Sequence, residues 1–528
     1  MKVKLFIVFS FLLTFALNGQ KKYNILWLVL EDQSAQFFPM YGDTNVKLPA
    51  IEALAAESII FDNAFANVPV CAPARSTIIL GMYPIKTGSH NMRTYNGYRE
   101  DNQPTINLKS YTPVLPKGAI EFPKYLRREG YYCTNNSKED YNVKITVGTW
   151  DESSIKAHWR KRNQDQPFFS IFNFNDCHES GLWKFGSDSL VVDPDQIFVP
   201  PYFPDDSVIR HDLAVNYSNL NRVDAQIGKV IQELREDGLY DDTYIFFYGD
   251  HGGPFPRHKS SLKETGLKVP FFVKLPKDLG GKMERSQDLI SFIDLAPTVL
   301  SIIGLEKPEH MQGKAFLGKY VDEPVDFVFA SSDRFDAIYD RSRAVRSERF
   351  KYIRNYRTDL PYALPVAYRL QVPMMKRWLE LSEKRDLEGY AQLWMRANKE
   401  EEEFYDLASD PFELNNLINN EFYASEIARH KKVLREWMME NDDQGAYDER
   451  ELIEKWSRMA ASIQLSPPVQ EMSDGQMTIS NPNAYGNIVY KTKESDSWRP
   501  FSEHQIIPEN AKYKIVHIGL EDSSVLEF

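Results

Sequence analysis

The stretch Asn24-Ile25-Leu26-Trp27-Leu28-Val29-Leu30-Glu31-Asp32 decides the fold. Residues 24–30 form a nearly unbroken apolar run of strand length, and the run stops at two adjacent carboxylates. A run without alternation belongs to a strand covered on both faces, the situation of a parallel sheet between helices. Such strands carry polar residues to the C-terminal rim of the sheet, where open α/β sheets bind ligands. Two further runs behave the same way. Residues 168–174 end at Asn175-Asp176-Cys177-His178, and residues 244–248 end at Gly249-Asp250-His251-Gly252.

Helical patterns alternate with these strands. The spacing predicts helices over 49–58, with proline in the first turn, and over 119–129, closed by Gly130. Helix 212–237 has the clearest period: Leu213, Tyr217, Leu220, Val223, Ile227, Val230 and Leu234 recur on one face before Gly238. Strands at 131–135, 269–275 and 289–293 and a helix at 297–303, capped by Gly304, complete an α/β class. The expected architecture is a large, mostly parallel sheet sandwiched by helices. Beyond residue 326 the texture changes. Residues 343–355 alternate like an antiparallel strand pair, 374–403 are charged and helix-like, and 404–407 read as a strand before a turn at Asp410-Pro411. This predicts a smaller α+β domain. From residue 464 the chain is rich in Ser, Pro and Asn, then strand-like at 488–492 and 512–518, which predicts a small β appendage. The expected divisions are 1–19, 20–325, 326–450 and 451–528.

The 528 residues are 42% hydrophobic, enough for a large core and too many for one compact unit. The net charge of -12, from 63 Lys+Arg against 75 Asp+Glu, argues against nucleic-acid binding. An anionic substrate must therefore meet a local basic pocket. Residues 1–19 read as a secretory signal peptide, with Lys2 and Lys4 ahead of an apolar run at 5–17 and cleavage after Gly19. That run is short for a membrane span, so the expected location is secreted or periplasmic, with no stable membrane insertion after cleavage. The three cysteines, Cys71, Cys133 and Cys177, are too few for a disulfide scaffold and are expected as buried thiols, Cys71 aside.

The chemistry-bearing residues gather at the strand ends. Glu31, Asp32, Asp250 and His251 are candidate metal ligands, although single acids in such places also cap helices. Hard oxygen donors suit calcium or magnesium. His178 ends a strand, and an imidazole titrates near working pH, which suits a general acid. His258 is a second option. Arg75 lies four residues after Cys71, on the same face if the segment is helical.

Cys71-Ala72-Pro73-Ala74-Arg75, continued as Ser76-Thr77-Ile78-Ile79-Leu80-Gly81, resembles the maturation segment of the type I, formylglycine-dependent sulfatases of the alkaline-phosphatase-like superfamily. Asp294-Leu295-Ala296-Pro297-Thr298 and the segment from Phe404 to Pro411 resemble other recurring segments of that family. His251-Gly252-Gly253-Pro254-Phe255-Pro256 is similar to the branch that holds the heparan sulfamidases, which sits beside bacterial polysaccharide sulfatases. The resemblance covers roughly residues 22–420. It implies that a sulfatase-maturing enzyme oxidises Cys71 to formylglycine (3-oxoalanine), whose hydrate attacks sulfur. It implies one calcium ion held by Glu31, Asp32, Cys71, Asp250 and His251. It implies Lys138 and Lys259 as sulfate contacts, with Arg75 and His178 beside them. One departure stands out: many relatives carry a histidine two residues after the first lysine, where this chain has Asp140.

The expected function is a secreted sulfatase acting on a sulfated polysaccharide or oligosaccharide. His90, Asn91, Arg93, Asp333, Arg334 and Arg343 are candidates to line the sugar pocket, with surface-loop polarity as the competing reading. Two rivals stay open at this point: a phosphoester or phosphonate monoester hydrolase of the same superfamily, and a catalytically silent glycan-binding relative.

Overall fold

A computed structural model describes residues 21–94, 108, 110–280, 283–473, 476–495, 497–502, 507–508 and 510–527. The expected signal peptide lies outside them. The main sheet contains β1 (Asn24–Leu30), β2 (Ser58–Phe65), β3 (Tyr132–Asn136), β4 (Glu152–Ser153), β5 (Phe168–Phe174), β6 (Thr243–Gly249), β7 (Phe271–Lys274) and β8 (Glu284–Ser291). Its order is β4-β3-β5-β1-β6-β7-β2-β8. All neighbouring pairs are parallel except those made by β7, which runs against β6 and β2.

The apolar run of β1 is explained by its two faces. Leu26, Leu28 and Leu30 enter one core with Leu213, Leu220, Val223 and Ile227 of helix Ser207–Glu236. Ile25, Trp27 and Val29 enter the other with Ile78 and Ile79 of helix Cys71–Leu80 and Val299 and Leu300 of helix Leu295–Ile302. The period of two thus feeds both layers with large side chains. Burying each contributes roughly 1.5–3 kcal/mol, which fixes β1 at the centre of the sandwich.

Several elements differ from expectation. Strand β2 occupies 58–65, directly after a helix that closes at Ala55 rather than 58. The helix expected over 119–129 is confined to Pro123–Arg128, where proline opens its first turn. The helix-like stretch 374–403 breaks into Pro373–Glu383 and Ala391–Trp394. Arg385 and Gly389, at φ 61 and φ 53, turn the chain out of the helix between them.

A second, antiparallel sheet holds β9 (Val328–Ser332), β10 (Ser342–Arg346), β11 (Phe350–Asn355) and β12 (Glu402–Asp406), in the order β12-β11-β10-β9. Helix Ala424–Glu440 covers it, packing Ile427, Leu434 and Trp437 on Val345, Tyr352 and Phe404. The C-terminal region holds a two-stranded ribbon and a separate four-stranded sheet. Among the described residues, no helix is long and apolar enough to cross a membrane.

Candidate active site

Register builds the site. Leu30 pairs with Phe174 on one side and Gly249 on the other, so β1, β5 and β6 end at one level. Backbone hydrogen bonds continue past these ends: Glu31 N donates to Phe174 O at 3.2 Å, and Asp250 N to Leu30 O at 2.8 Å. Glu31, Asp32, Asp250 and His251 are therefore held on one lip. All four are buried. Asp32 has φ 51, a left-handed conformation rare for a residue with a side chain, and its N–H donates to Asp250 Oδ1 at 3.0 Å.

Cys71 opens the helix Cys71–Leu80, which is buried along its length. Pro73 sits in the first turn, where a missing N–H costs nothing. One turn on, Arg75 points back to the rim as Cys71 does. Its Nε donates to Asp250 Oδ2 at 3.1 Å and one terminal nitrogen to Asn173 Oδ1 at 2.7 Å, and the other lies 3.5 Å from Glu31 Oε1. Lys138, delivered by β3, pairs with Glu31. Lys259 Nζ donates to Asp32 Oδ2 at 2.7 Å and lies 3.2 Å from His178 Nε2. All five residues assigned to catalysis, Cys71, Arg75, Lys138, His178 and Lys259, thus converge on one rim.

The cysteine feels these charges. Burial pushes the Cys71 thiol up, but Lys259, Lys138 and His251 bring it down to about 7. Burial also opposes ionisation of Asp32, yet Lys259, His178 and His251 hold it well below the usual carboxylate range. For His178, burial and Lys259 oppose protonation, but Asp32, Cys71 and Glu31 together raise its pKa.

A metal ion fits this donor set. One ligand atom each from Asp32, Cys71, Asp250 and His251 lie within 4.8 Å of one another. His251 Nδ1 faces Gly252 O at 2.9 Å and must donate to it. Its Nε2 then faces Asp32 Oδ1 at 2.9 Å and Cys71 Sγ at 3.2 Å. A lone pair directed at a carboxylate needs a cation between them, either a proton or a metal. Glu31, expected among the ligands, lies outside this group of four because Lys138 and Arg75 engage its carboxylate.

The sugar-pocket candidates divide. Arg93 is exposed at the rim, at φ 55, with one terminal nitrogen 3.7 Å from Asp140. The others are buried, and most of them are bonded to other residues of the chain. Arg334 clamps Glu449 at 2.6 and 2.9 Å. Arg343 bridges Asp333 at 2.9 Å and Asp443 at 2.7 Å. His90 is buried beside this cluster, and burial lowers its pKa. Asn91 accepts the Arg334 N–H at 3.1 Å. Asn91 thereby joins the loop after the Cys71 helix to the segment that follows β9. His258 is likewise buried, stacked 5.6 Å from Phe203 and bonded to the Tyr202 hydroxyl at 3.1 Å, so it is a packing residue.

Three residues of the site escaped the sequence reading. Asn173 was visible as a polar break in the apolar run of β5. Glu179, whose N–H donates to Asp32 Oδ2 at 2.7 Å, follows His178 directly. Arg369 carries no sequence signal. It reaches the site from a segment nearly 200 positions away from β5, donating to Lys259 O at 3.0 Å and Ser260 Oγ at 3.1 Å.

The family profile described as Sulfatase matches residues 23–305, and that described as N-sulphoglucosamine sulphohydrolase, C-terminal, matches residues 255–365. An ulvan-active sulfatase of Formosa agariphila is 39% identical over 96% of this chain and 91% of its own length. Human N-sulphoglucosamine sulphohydrolase is 24% identical over 82% of this chain and 93% of its own. A solved structure in complex with its substrate D-glucosamine-2-N,6-O-disulfate has a TM-score of 0.57 at 16% identity, covering 80% of this chain and 99% of that one. A phosphonate monoester hydrolase of Agrobacterium radiobacter has a TM-score of 0.57 at 14% identity, covering 87% and 100%. At such identities the solved structures speak for the fold alone.

Proposed function

The chain belongs to the sulfatase family, and on that premise we propose that it removes sulfate from a sulfated polysaccharide or oligosaccharide through a formylglycine made from Cys71. The observation that carries this reading is the convergence of Cys71, Lys259, His178, Asp32 and His251 within hydrogen-bond reach on one buried lip. The ulvan-active relative supports an anionic, carbohydrate-derived substrate. The N-terminal segment supports secretion or export to a periplasm, with a sulfatase-maturing enzyme acting on Cys71.

Asp32, Asp250, His251 and the modified residue 71 would hold calcium, which would balance charge on the sulfuryl oxygens. The chain's own residues supply the rest. Arg75 fixes Asp250 and thereby the rim. Lys138 and Lys259 neutralise the sulfate oxygens as point charges. One hydroxyl of the hydrated aldehyde loses its proton to water and attacks sulfur, the bond from sulfur to the sugar oxygen breaks, and His178 gives that oxygen its proton. The remaining hydroxyl then loses its proton, the carbon–oxygen bond to sulfate breaks, the aldehyde re-forms and sulfate leaves. Asp140, which Arg93 and Lys138 keep ionised against burial, is the candidate base for this second step. Splitting one hard displacement into two easier steps is the gain of covalent catalysis. Arg93 completes the substrate set.

The test is turnover of matched aryl sulfate and aryl phosphate, followed by sulfate release from a panel of sulfated oligosaccharides. Preference for sulfate with saccharide desulfation is expected. Preference for phosphate would favour the phosphoester hydrolase reading, and saccharide binding without turnover would favour a silent relative.

A further inference from the structure

Two aromatic rings stand beside the proposed acid. The Tyr368 ring lies 6.2 Å from that of His178, and the Trp183 ring lies 5.2 Å from Tyr368, at 73° to it. Neither ring is consumed by the interior. Trp183 backs onto the core beneath helix Ser207–Glu236, Tyr368 backs onto the cluster around Cys71 and Phe335, and both remain partly exposed.

The rings come from distant parts of the chain, yet their positions are fixed. Trp183 lies in the short helix Gly181–Lys184, just after His178. Tyr368 directly precedes the buried Arg369, whose guanidinium donates to Lys259 O at 3.0 Å and Ser260 Oγ at 3.1 Å and lies 5.4 Å from the Phe335 ring. Arg369 Nε also lies 3.5 Å from Glu179 Oε1, a residue adjacent to His178. Arg369 thus pins Tyr368 to the backbone of one site residue and to the neighbour of another. Ser260, in the same contact, has φ 65, and Asp336 and Arg93 on the rim have φ 47 and φ 55. Left-handed conformations at side-chain-bearing residues persist where surrounding contacts over-determine them, often at ligand sites.

A pyranose ring has polar edges and an apolar C–H face, and rigid aromatic rings bind such faces with little loss of conformational freedom. We propose that Tyr368 and Trp183 form the wall against which the sugar carrying the scissile sulfate stacks beside His178. Arg369 is the positioning residue of that wall. The inference rests on the polysaccharide sulfatase reading and deepens it: the preferred substrate presents an apolar sugar face next to the sulfated position.

The test is steady-state sulfate release from the best sulfated oligosaccharide of the panel by wild type and by Tyr368→Ala, Tyr368→Phe, Trp183→Ala and Trp183→Phe. Stacking predicts that each alanine variant raises KM about tenfold with kcat little changed. Both phenylalanine variants should keep the wild-type KM, because the ring and not its polar group makes the contact. An unchanged KM in Tyr368→Ala, or Tyr368→Phe as impaired as Tyr368→Ala, would overturn the stacking wall. Wild-type enzyme that cleaves an aryl sulfate but no saccharide would overturn the polysaccharide reading, and the wall with it.

Discussion

Lys259 donates its ammonium proton to Asp32 Oδ2 across 2.7 Å, and both residues are buried. The pair joins the loop after β6 to the end of β1 and sets a positive charge where a sulfate oxygen would enter. Lys259→Ala is expected to lower kcat on an aryl sulfate by at least ~100-fold, the scale of losing one preorganised charge at the reacting group. Single-turnover kinetics on folded protein checks this. An unchanged chemical step would remove Lys259 from the mechanism.

Arg75 engages Asp250, Asn173 and Glu31 at once. Lysine has the charge but not the planar fork. Arg75→Lys is therefore expected to lose about 10–100-fold in kcat/KM, because Asp250 and the rim lose their fixed geometry. Full activity in this variant would show that charge alone suffices.

Divalent-ion binding has a readout besides turnover. Wild-type protein stripped by a chelator should melt at a lower temperature and recover on addition of calcium, by the linkage between ligand binding and stability. Asp250→Asn should blunt that recovery. An equal calcium response in wild type and variant, followed by calorimetry, would move the ion elsewhere.

A buried ion cluster ties the second sheet to the segment that follows Lys259. Lys351 Nζ on β11 meets Glu264 Oε1 at 2.7 Å and Glu413 Oε1 at 3.0 Å. Burial alone would raise the Glu264 pKa, but Lys351 and Arg346 overcome it and bring it to about 2 from 4.5. A depressed carboxylate contributes stability that is present above pH 4.5 and lost as pH falls through about 2. Lys351→Met should cost about 3–5 kcal/mol at neutral pH, by stranding two carboxylates, and should flatten the acid limb. Denaturant melts across that pH range would reveal it. A parallel displacement of the whole curve would contradict the linkage.

The sheet was legible because β1, β5 and β6 are mostly apolar and end in chemistry-bearing residues. Their periodicity and their termini carry the signal within a single window. Strand β2 was not, since it starts three residues after a helix and its Asp62 and Asn63 interrupt the apolar pattern. At the site, Cys71, Asp32, Asp250 and His178 stood in or beside local patterns. The ion pairs of Arg334 and Arg343 were not legible, because a sequence shows a charge but not its partner; Glu449 and Asp443 lie about 100 positions away. Arg369, Tyr368 and Trp183 meet only through tertiary folding, so no local pattern could announce them.

The central claim concerns the covalent state of residue 71. Peptide mass analysis of enzyme with measured sulfatase activity, produced together with a sulfatase-maturing enzyme, addresses it directly. The account predicts that the peptide holding residue 71 carries the aldehyde, that specific activity rises in proportion to its fraction, and that Cys71→Ala is inactive. Fully active protein with an intact thiol at that position would contradict it.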